Sequence, residues 1–264
     1  MTDPDVSSAR WFRRPRPGGA PSLRLLCLPH AGGTASLYRA WTGPLPDWIE
    51  PVLVCPPGRE ERVDERAPGD VPALVAALAD AVRPLLDRPW AVFGHSMGAL
   101  VAHELALRMV AEGARPPEHV FVSAREAPQF HRPGAVHLLD DDGLTAELLR
   151  LGGTHPELLA MDEVRRLILP AVRNDYRLVE TYAPPAPTTL PCPVTALVGT
   201  GDTEVAEDEA RGWSRWTDSE FRLLAFAGGH FYFSDDPHDV VRSVTGLLAG
   251  SRADGDAAAI TERR

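Results

Sequence analysis

The residues Gly94-His95-Ser96-Met97-Gly98 place a serine between two glycines, directly after a short apolar run at 91–93 and directly before a helical pattern over 99–110. A strand that reverses into a helix through G-x-S-x-G is the context of a nucleophile elbow, in which the serine hydroxyl stands exposed at the end of a sheet. The turn is so tight that the positions two before and two after the serine must lack side chains, which assigns that role to Gly94 and Gly98. A serine hydroxyl is a weak nucleophile and requires a base, which in turn requires an orienting acid. Of the nine histidines, His230 fits best. It lies in Ala227-Gly228-Gly229-His230-Phe231, after the last strand-like run and before the last helical pattern. His95 sits inside the elbow with its side chain expected to point away from the cleft. His103 falls on the following helix, where packing is its expected task. His131, His137 and His155 lie in a helical stretch, and His238 comes a helical turn too late. The acid should follow a strand between Ser96 and His230. The run 194–198 is followed by Gly199-Thr200-Gly201-Asp202-Thr203-Glu204, which makes Asp202 the expected acid and Glu204 its rival. Such a serine also requires amide donors for a developing oxyanion. The Met97 amide, just after the nucleophile, is one. Pro29-His30-Ala31-Gly32-Gly33 follows the run 23–28 and supplies the other, for which Ala31 is the expected donor.

These groups must be positioned by elements the sequence also announces. Strand-like runs at 23–28, 52–55, 91–93, 120–122, 194–198 and 221–226 alternate with helical patterns at 71–86, 99–110 and 236–248. Strands alternating with helices predict an α/β protein with a mostly parallel sheet covered on both faces. Between 126 and 187 the rhythm breaks. Helical stretches at 142–151, 156–159 and 162–182 replace the expected strand, and the segment ends in Pro184-Pro185-Ala186-Pro187. A helical insertion over 126–187 predicts a lid over the carboxyl edge of the sheet. The expected organisation is one domain over 1–264, with flexible ends at 1–20 and 251–264.

Composition bounds the function. The 264 residues amount to one to two domains at about 150 residues each, and one α/β domain of this length buries a large core. A formal charge of −10 disfavours nucleic acid as the main partner. All 27 basic residues are arginine, so neither a Schiff-base lysine nor a P-loop lysine is present. Cys27, Cys55 and Cys192 have no zinc-site spacing and read as buried thiols. No His/Cys/Asp cluster has ligand spacing, so no metal or other cofactor is expected. The first residues lack a signal-peptide core, and no apolar stretch reaches the roughly 20 residues of a membrane helix. A cytoplasmic monomer that contacts no membrane is expected.

Taken in order, the segments LPHAGGTAS (28–36), PPGREER (56–62), GHSMGA (94–99), LRLGGT (149–154), LPAVRNDYRLVETY (169–182) and GGHFYF (228–233) give the chain a resemblance to the type II thioesterases, the free-standing editing hydrolases of polyketide and nonribosomal peptide assembly lines. The resemblance covers residues 24–248. It implies an α/β-hydrolase fold with a helical lid and a Ser96–Asp202–His230 triad. It also implies a substrate, acyl groups held as thioesters on the phosphopantetheine arm of a carrier protein, from which aberrant or stalled units are removed. Two positions depart from the family pattern. His30 stands where an aromatic residue is common, and Gly201-Asp202-Thr203-Glu204 stands where many relatives have Asp-Pro. Carrier proteins are acidic, so a local basic rim is expected, with Arg125, Arg132, Arg165, Arg166 and Arg173 near the lid and Arg59 and Arg62 on the opposite loop as candidates. The competing readings are a general carboxylesterase, a chain-releasing cyclase, an acyl transferase, and a non-catalytic ligand receptor on the same scaffold.

Overall fold

The computed structural model describes residues 10–16, 19–184 and 186–261, with side chains up to 250. The strands are β1 (Phe12–Arg13), β2 (Leu23–Leu28), β3 (Ile49–Val54), β4 (Trp90–His95), β5 (Val120–Ser123), β6 (Val194–Gly199) and β7 (Phe221–Phe226). The helices are α1 (Val71–Val82), α2 (Met97–Ala111), α3 (Asp141–Leu151), α4 (Pro156–Leu159), α5 (Asp162–Glu180), α6 (Glu207–Arg211) and α7 (His238–Thr261). One sheet runs in the order β1-β3-β2-β4-β5-β6-β7, parallel throughout except for β1.

The alternation of side chains along each strand builds two cores. Leu26, Leu28, Val92, Val120, Val122 and Val194 pack on one face, against α1 and α2. Leu25, Cys27, Phe93, Phe121 and Leu197 pack on the other, against Tyr38, Trp41 and Val240, Val241 and Val244 of α7. Strands β2 to β6 are buried on both faces, so they read in the sequence as continuous apolar runs. The three thiols are buried and free. A third, smaller core of Leu144, Leu148, Leu159, Leu169 and Val172 joins α3, α4 and α5 of the 126–187 segment.

The sheet order places the chemistry. The chain leaves β2 toward β3 on one side and returns to β4 on the other, so the loops after β2 and β4 diverge at a topological switch point, where open α/β sheets form their ligand crevices. Leu28 pairs with Gly94 across the parallel ladder, which brings the 29–33 loop beside the elbow.

At the ends the structure adds elements that the sequence did not announce. Residues 1–9, 17 and 18 of the expected arm lie outside the described residues, but Phe12–Arg13 forms an edge strand on Val54 and Leu53. Trp11 and Phe12 are buried, and the Arg62 guanidinium stacks 4.1 Å from the Trp11 ring. Two residues are too few to show a strand period. At the other end the α7 backbone continues to Thr261, and residues 262–264 lie outside the described residues.

Trp11→Ala removes a buried indole from the β1 edge. It is expected to cost about 3 kcal/mol, the low end for such truncations, in urea unfolding; a change within error would mean that the segment contributes nothing to the fold.

Candidate active site

Ser96 sits at φ 55°, ψ −116° between β4 and α2, one of three non-glycine residues with positive φ among those described. Its neighbours explain how the turn closes. A Cβ on Gly94 would overlap the Gly98 carbonyl, and a Cβ on Gly98 would overlap the Leu28 carbonyl at the end of β2. The Ser96 amide donates to the Ser123 carbonyl at 2.8 Å, tying the elbow to the end of β5. Ser96 therefore stands at the mouth of α2, whose first amides have no partner within the helix.

Asp202 and His230 arrive from the ends of β6 and β7. The imidazole Nδ1 lies 2.9 Å from Asp202 Oδ2, with the carboxylate fully buried and the His230 side chain 8% exposed. The second carboxylate oxygen, Oδ1, accepts the Glu204 amide at 2.8 Å. The two loops are also joined along the backbone, where the Gly201 amide donates to the Gly228 carbonyl at 2.8 Å. Ser96, Met97, Ala31 and His230 line one cavity of about 220 Å³, whose other walls include Leu148 and Leu151 of α3, Tyr176 and Val179 of α5, and Phe231. The structure thus brings Ser96, Asp202, His230, Met97 and Ala31 together, and it sends the Glu204 carboxylate elsewhere, to Arg150 at 2.7 Å. A serine, a carboxylate-oriented imidazole and a helix N-terminus around one cavity are the equipment of nucleophilic acyl transfer.

A family model for the thioesterase domain matches residues 23–248. The chain belongs to the thioesterase family. It is 39% identical over 260 residues to the thioesterase PikA5 of Streptomyces venezuelae, covering 97% of this chain and 92% of that protein. It is 40% identical over 253 residues to a probable cadicidin biosynthesis thioesterase of Streptomyces griseus, covering 96% and 70%. Among solved structures, the type II thioesterase BorB from the borrelidin biosynthetic cluster matches with a TM-score of 0.84 at 40% identity, covering 94% of this chain and 99% of that one. RedJ with a PEG molecule bound in its active site matches at 0.81 and 34% identity, covering 90% and 99%. This thioesterase is accordingly of type II, the class found in polyketide and nonribosomal peptide pathways, and its sheet is that of the α/β-hydrolase fold.

The thioesterase holds its 29–33 loop by a device the sequence did not disclose. Asp175 of α5 is buried and pairs with buried Arg59 through both oxygens, Nη2 to Oδ1 at 3.0 Å and Nη1 to Oδ2 at 2.7 Å. The same carboxylate accepts the Gly32 amide at 2.8 Å, and Arg59 donates to the Gly33 carbonyl at 2.9 Å. Gly32, at φ 75°, comes so close to α5 that a Cβ there would overlap Val172. The charged type of Arg59 suggested a surface position, but its partner lies 116 residues away and cannot be read locally. The expected basic rim is corrected accordingly. Arg59 is inside, and Arg62 is buried against Glu65 and the Cys55 carbonyl. Arg125 lies beside Glu126 and His131, Arg132 pairs with Glu209, Arg165 with Asp162, and Arg173 with Asp141. Of the seven candidates, Arg166 is exposed and has no ion pair among the described residues.

His103, His95 and His30 pack among other side chains, whereas His155 and His238 are exposed. His103 is buried between the rings of Trp213 and Trp216. His95 is fully buried below the site, its Nδ1 2.8 Å from Ser123 Oγ, which in turn lies 2.7 Å from the Tyr232 hydroxyl. This chain anchors the His230 loop to the elbow and to β5. His30, where an aromatic residue was the expected type, meets Phe231 edge-on at 4.6 Å and lines the cavity. Burial, with His230 and Arg59 nearby, lowers its pKa to about 3. Burial likewise holds His95 well below its ordinary value and brings His119 down to about 4.

Two outcomes follow. Asp175→Asn should cost about 3–5 kcal/mol in denaturant unfolding, because it strands a buried guanidinium, whereas Arg59→Met with Asp175→Leu should recover a large part of that loss; a near-zero effect of the single change would contradict the buried pair. His30, His95 and His119 all have folded pKa values below the unfolded value of about 6.5, so the unfolded chain binds more protons in acid. Stability should hold above about pH 6.5 and fall as pH drops toward about 4, by about 1.4 kcal/mol per pH unit for each fully engaged site. Urea unfolding across that range measures the slope, and a flat profile would refute it.

Proposed function

We propose that this type II thioesterase hydrolyses short acyl groups from the phosphopantetheine arm of acyl or peptidyl carrier proteins, removing aberrant or stalled units by a Ser96–His230–Asp202 acyl-enzyme mechanism. The observation that carries the mechanism is the Asp202–His230 pair at 2.9 Å facing the cavity in which Ser96 stands.

In the first half-reaction His230 Nε2 takes the Ser96 proton as Oγ attacks the thioester carbonyl. Asp202, accepting from Nδ1, holds the tautomer and stabilises the imidazolium. The tetrahedral oxyanion is met by the Met97 amide and by Ala31 of the 29–33 loop, whose next amide, Gly32, is already committed to Asp175. The carbon–sulfur bond then breaks, and the thiol arm leaves with the proton from His230. In the second half-reaction His230 deprotonates water, hydroxide adds to the acyl-serine, and Ser96 departs with its proton restored, releasing the free acid.

The segment 126–187 acts as the lid in this reading, since α3 and α5 supply one wall of the cavity. The cavity volume of about 220 Å³ falls below the roughly 300–1,000 Å³ of drug-sized ligand sites, which suits short acyl chains. Such a pocket imposes size more than shape, as an enzyme that removes varied errors requires. Carrier and editing roles are inferred from the company its relatives keep, namely the borrelidin biosynthetic cluster of BorB and the biosynthesis for which the Streptomyces griseus relative is named.

Acyl-loaded carriers and the same acyl groups on a small thiol are to be compared by intact mass. Release from carriers should be faster, should vanish in Ser96→Ala, and should fall about 10⁴-fold in Asp202→Asn, but by less than about tenfold in Glu204→Gln. Turnover of simple oxygen esters with carriers left loaded would replace this reading with a general esterase.

A further inference from the structure

Arg150 and Glu204 meet between the helical insert and the acid loop. Arg150 lies in the last turn of α3, within LRLGGT, and its Nη1 donates to Glu204 Oε1 at 2.7 Å across 54 positions of chain. Its Nε and Nη2 donate to the two oxygens of Glu147, one helical turn earlier, at 2.8 and 2.6 Å. Glu147 therefore fixes the guanidinium fork on α3 and leaves its third edge aimed at Glu204. The planar fork suits such pre-aiming, because less side-chain freedom is lost per bond formed. Glu204 is in turn wired to the catalytic acid, since its amide donates to Asp202 Oδ1, the oxygen that His230 does not use.

A second contact from the same end of α3 reaches the base loop. Gly152 ends the helix at φ 80°, and the turn lays Gly153 against Phe231 so closely that a Cβ there would overlap the ring. Phe231 directly follows His230. Glu147, Glu204, Gly153 and Phe231 all line the cavity that holds Ser96.

We propose that Arg150 and Glu204 are positioning residues that clamp α3 to the acid loop, so that covering the cavity and aligning Asp202 with His230 are one event. The proposal rests on the triad read above. It gives Glu204, a carboxylate two residues from the acid, a task of its own. The strength of the clamp follows from its exposure. The Arg150 and Glu204 side chains are 46% and 34% exposed, and ion pairs of that kind bias an equilibrium only a few-fold. A few-fold bias holds the insert closed for chemistry and still lets it open for each new acyl arm.

The test uses two readouts, hydrolysis of a short acyl thioester of a small thiol and covalent labelling of Ser96 by a fluorophosphonate. Wild type, Glu204→Gln, Arg150→Gln, their double variant and Arg150→Lys are compared at low and high ionic strength. The single Gln variants should lose about two- to tenfold in kcat and in labelling rate with an unchanged Tm. The double variant should lose no more than either single, because both break one contact, and Arg150→Lys should recover part of the rate. Salt should slow wild type toward the variants and leave the variants unmoved. Variants as fast as wild type or faster, losses that add in the double variant, losses that track Tm, or a salt response unchanged by the substitutions would each overturn the proposal. Ser96→Ala is the separate control on the triad: labelling that survives it would remove the nucleophile reading, whatever the clamp variants do.

Discussion

Everything at this site depends on one steric constraint, the reversal of chain direction at Ser96. A β-strand that turns into a helix within a few residues forces the serine to positive φ, and this is tolerated only because Gly94 and Gly98 let backbone meet backbone. The strain is repaid by the surrounding sheet, which is buried on both faces and grips β4 between β2 and β5. The consequence is geometric. The hydroxyl, the N-terminus of α2 and the 29–33 loop all converge at the switch point of the sheet. The Asp202 carboxylate and the His230 imidazole reach the same edge from the ends of β6 and β7, the last two strands, with β5 between them and the elbow strand.

The buried Arg59–Asp175 pair extends that constraint into the insert. An isolated charge at either position would be costly, and the pair is tolerated because both carboxylate oxygens and both terminal guanidinium nitrogens have partners, among them Gly32 and Gly33 of the 29–33 loop. Helix α5 therefore holds the 29–33 loop as well as forming a wall of the cavity. The insert touches the Asp202–Glu204 loop through Arg150 and the 29–33 loop through Asp175, so it bears on two sides of the cavity from one small core of its own.

The sequence carried the parts of this account that depend on local pattern. Buried parallel strands read as apolar runs, and the elbow reads as G-x-S-x-G. The loops after β6 and β7 offer few candidates for acid and base. What the sequence left open was decided by contacts between distant residues. Asp202 and Glu204 are two positions apart, and only the side-chain directions separate them, one toward His230 and the other toward Arg150. Arg59 reads as a surface charge until Asp175 is seen beside it. The Ser123–Tyr232 link spans 109 positions and joins residue types that carry no motif. The edge strand at Phe12–Arg13 is too short for any period to show.

The central claim is that Ser96 carries the acyl group taken from a carrier-bound thioester. Rapid mixing with an acyl-loaded carrier, acid quenching and peptide mass analysis measure it directly. The account predicts a transient mass increase equal to the acyl group on the peptide containing Ser96, accumulating before free acid is released. Full release of acid with that peptide never modified, in an enzyme whose Ser96→Ala variant still turns over, would contradict it.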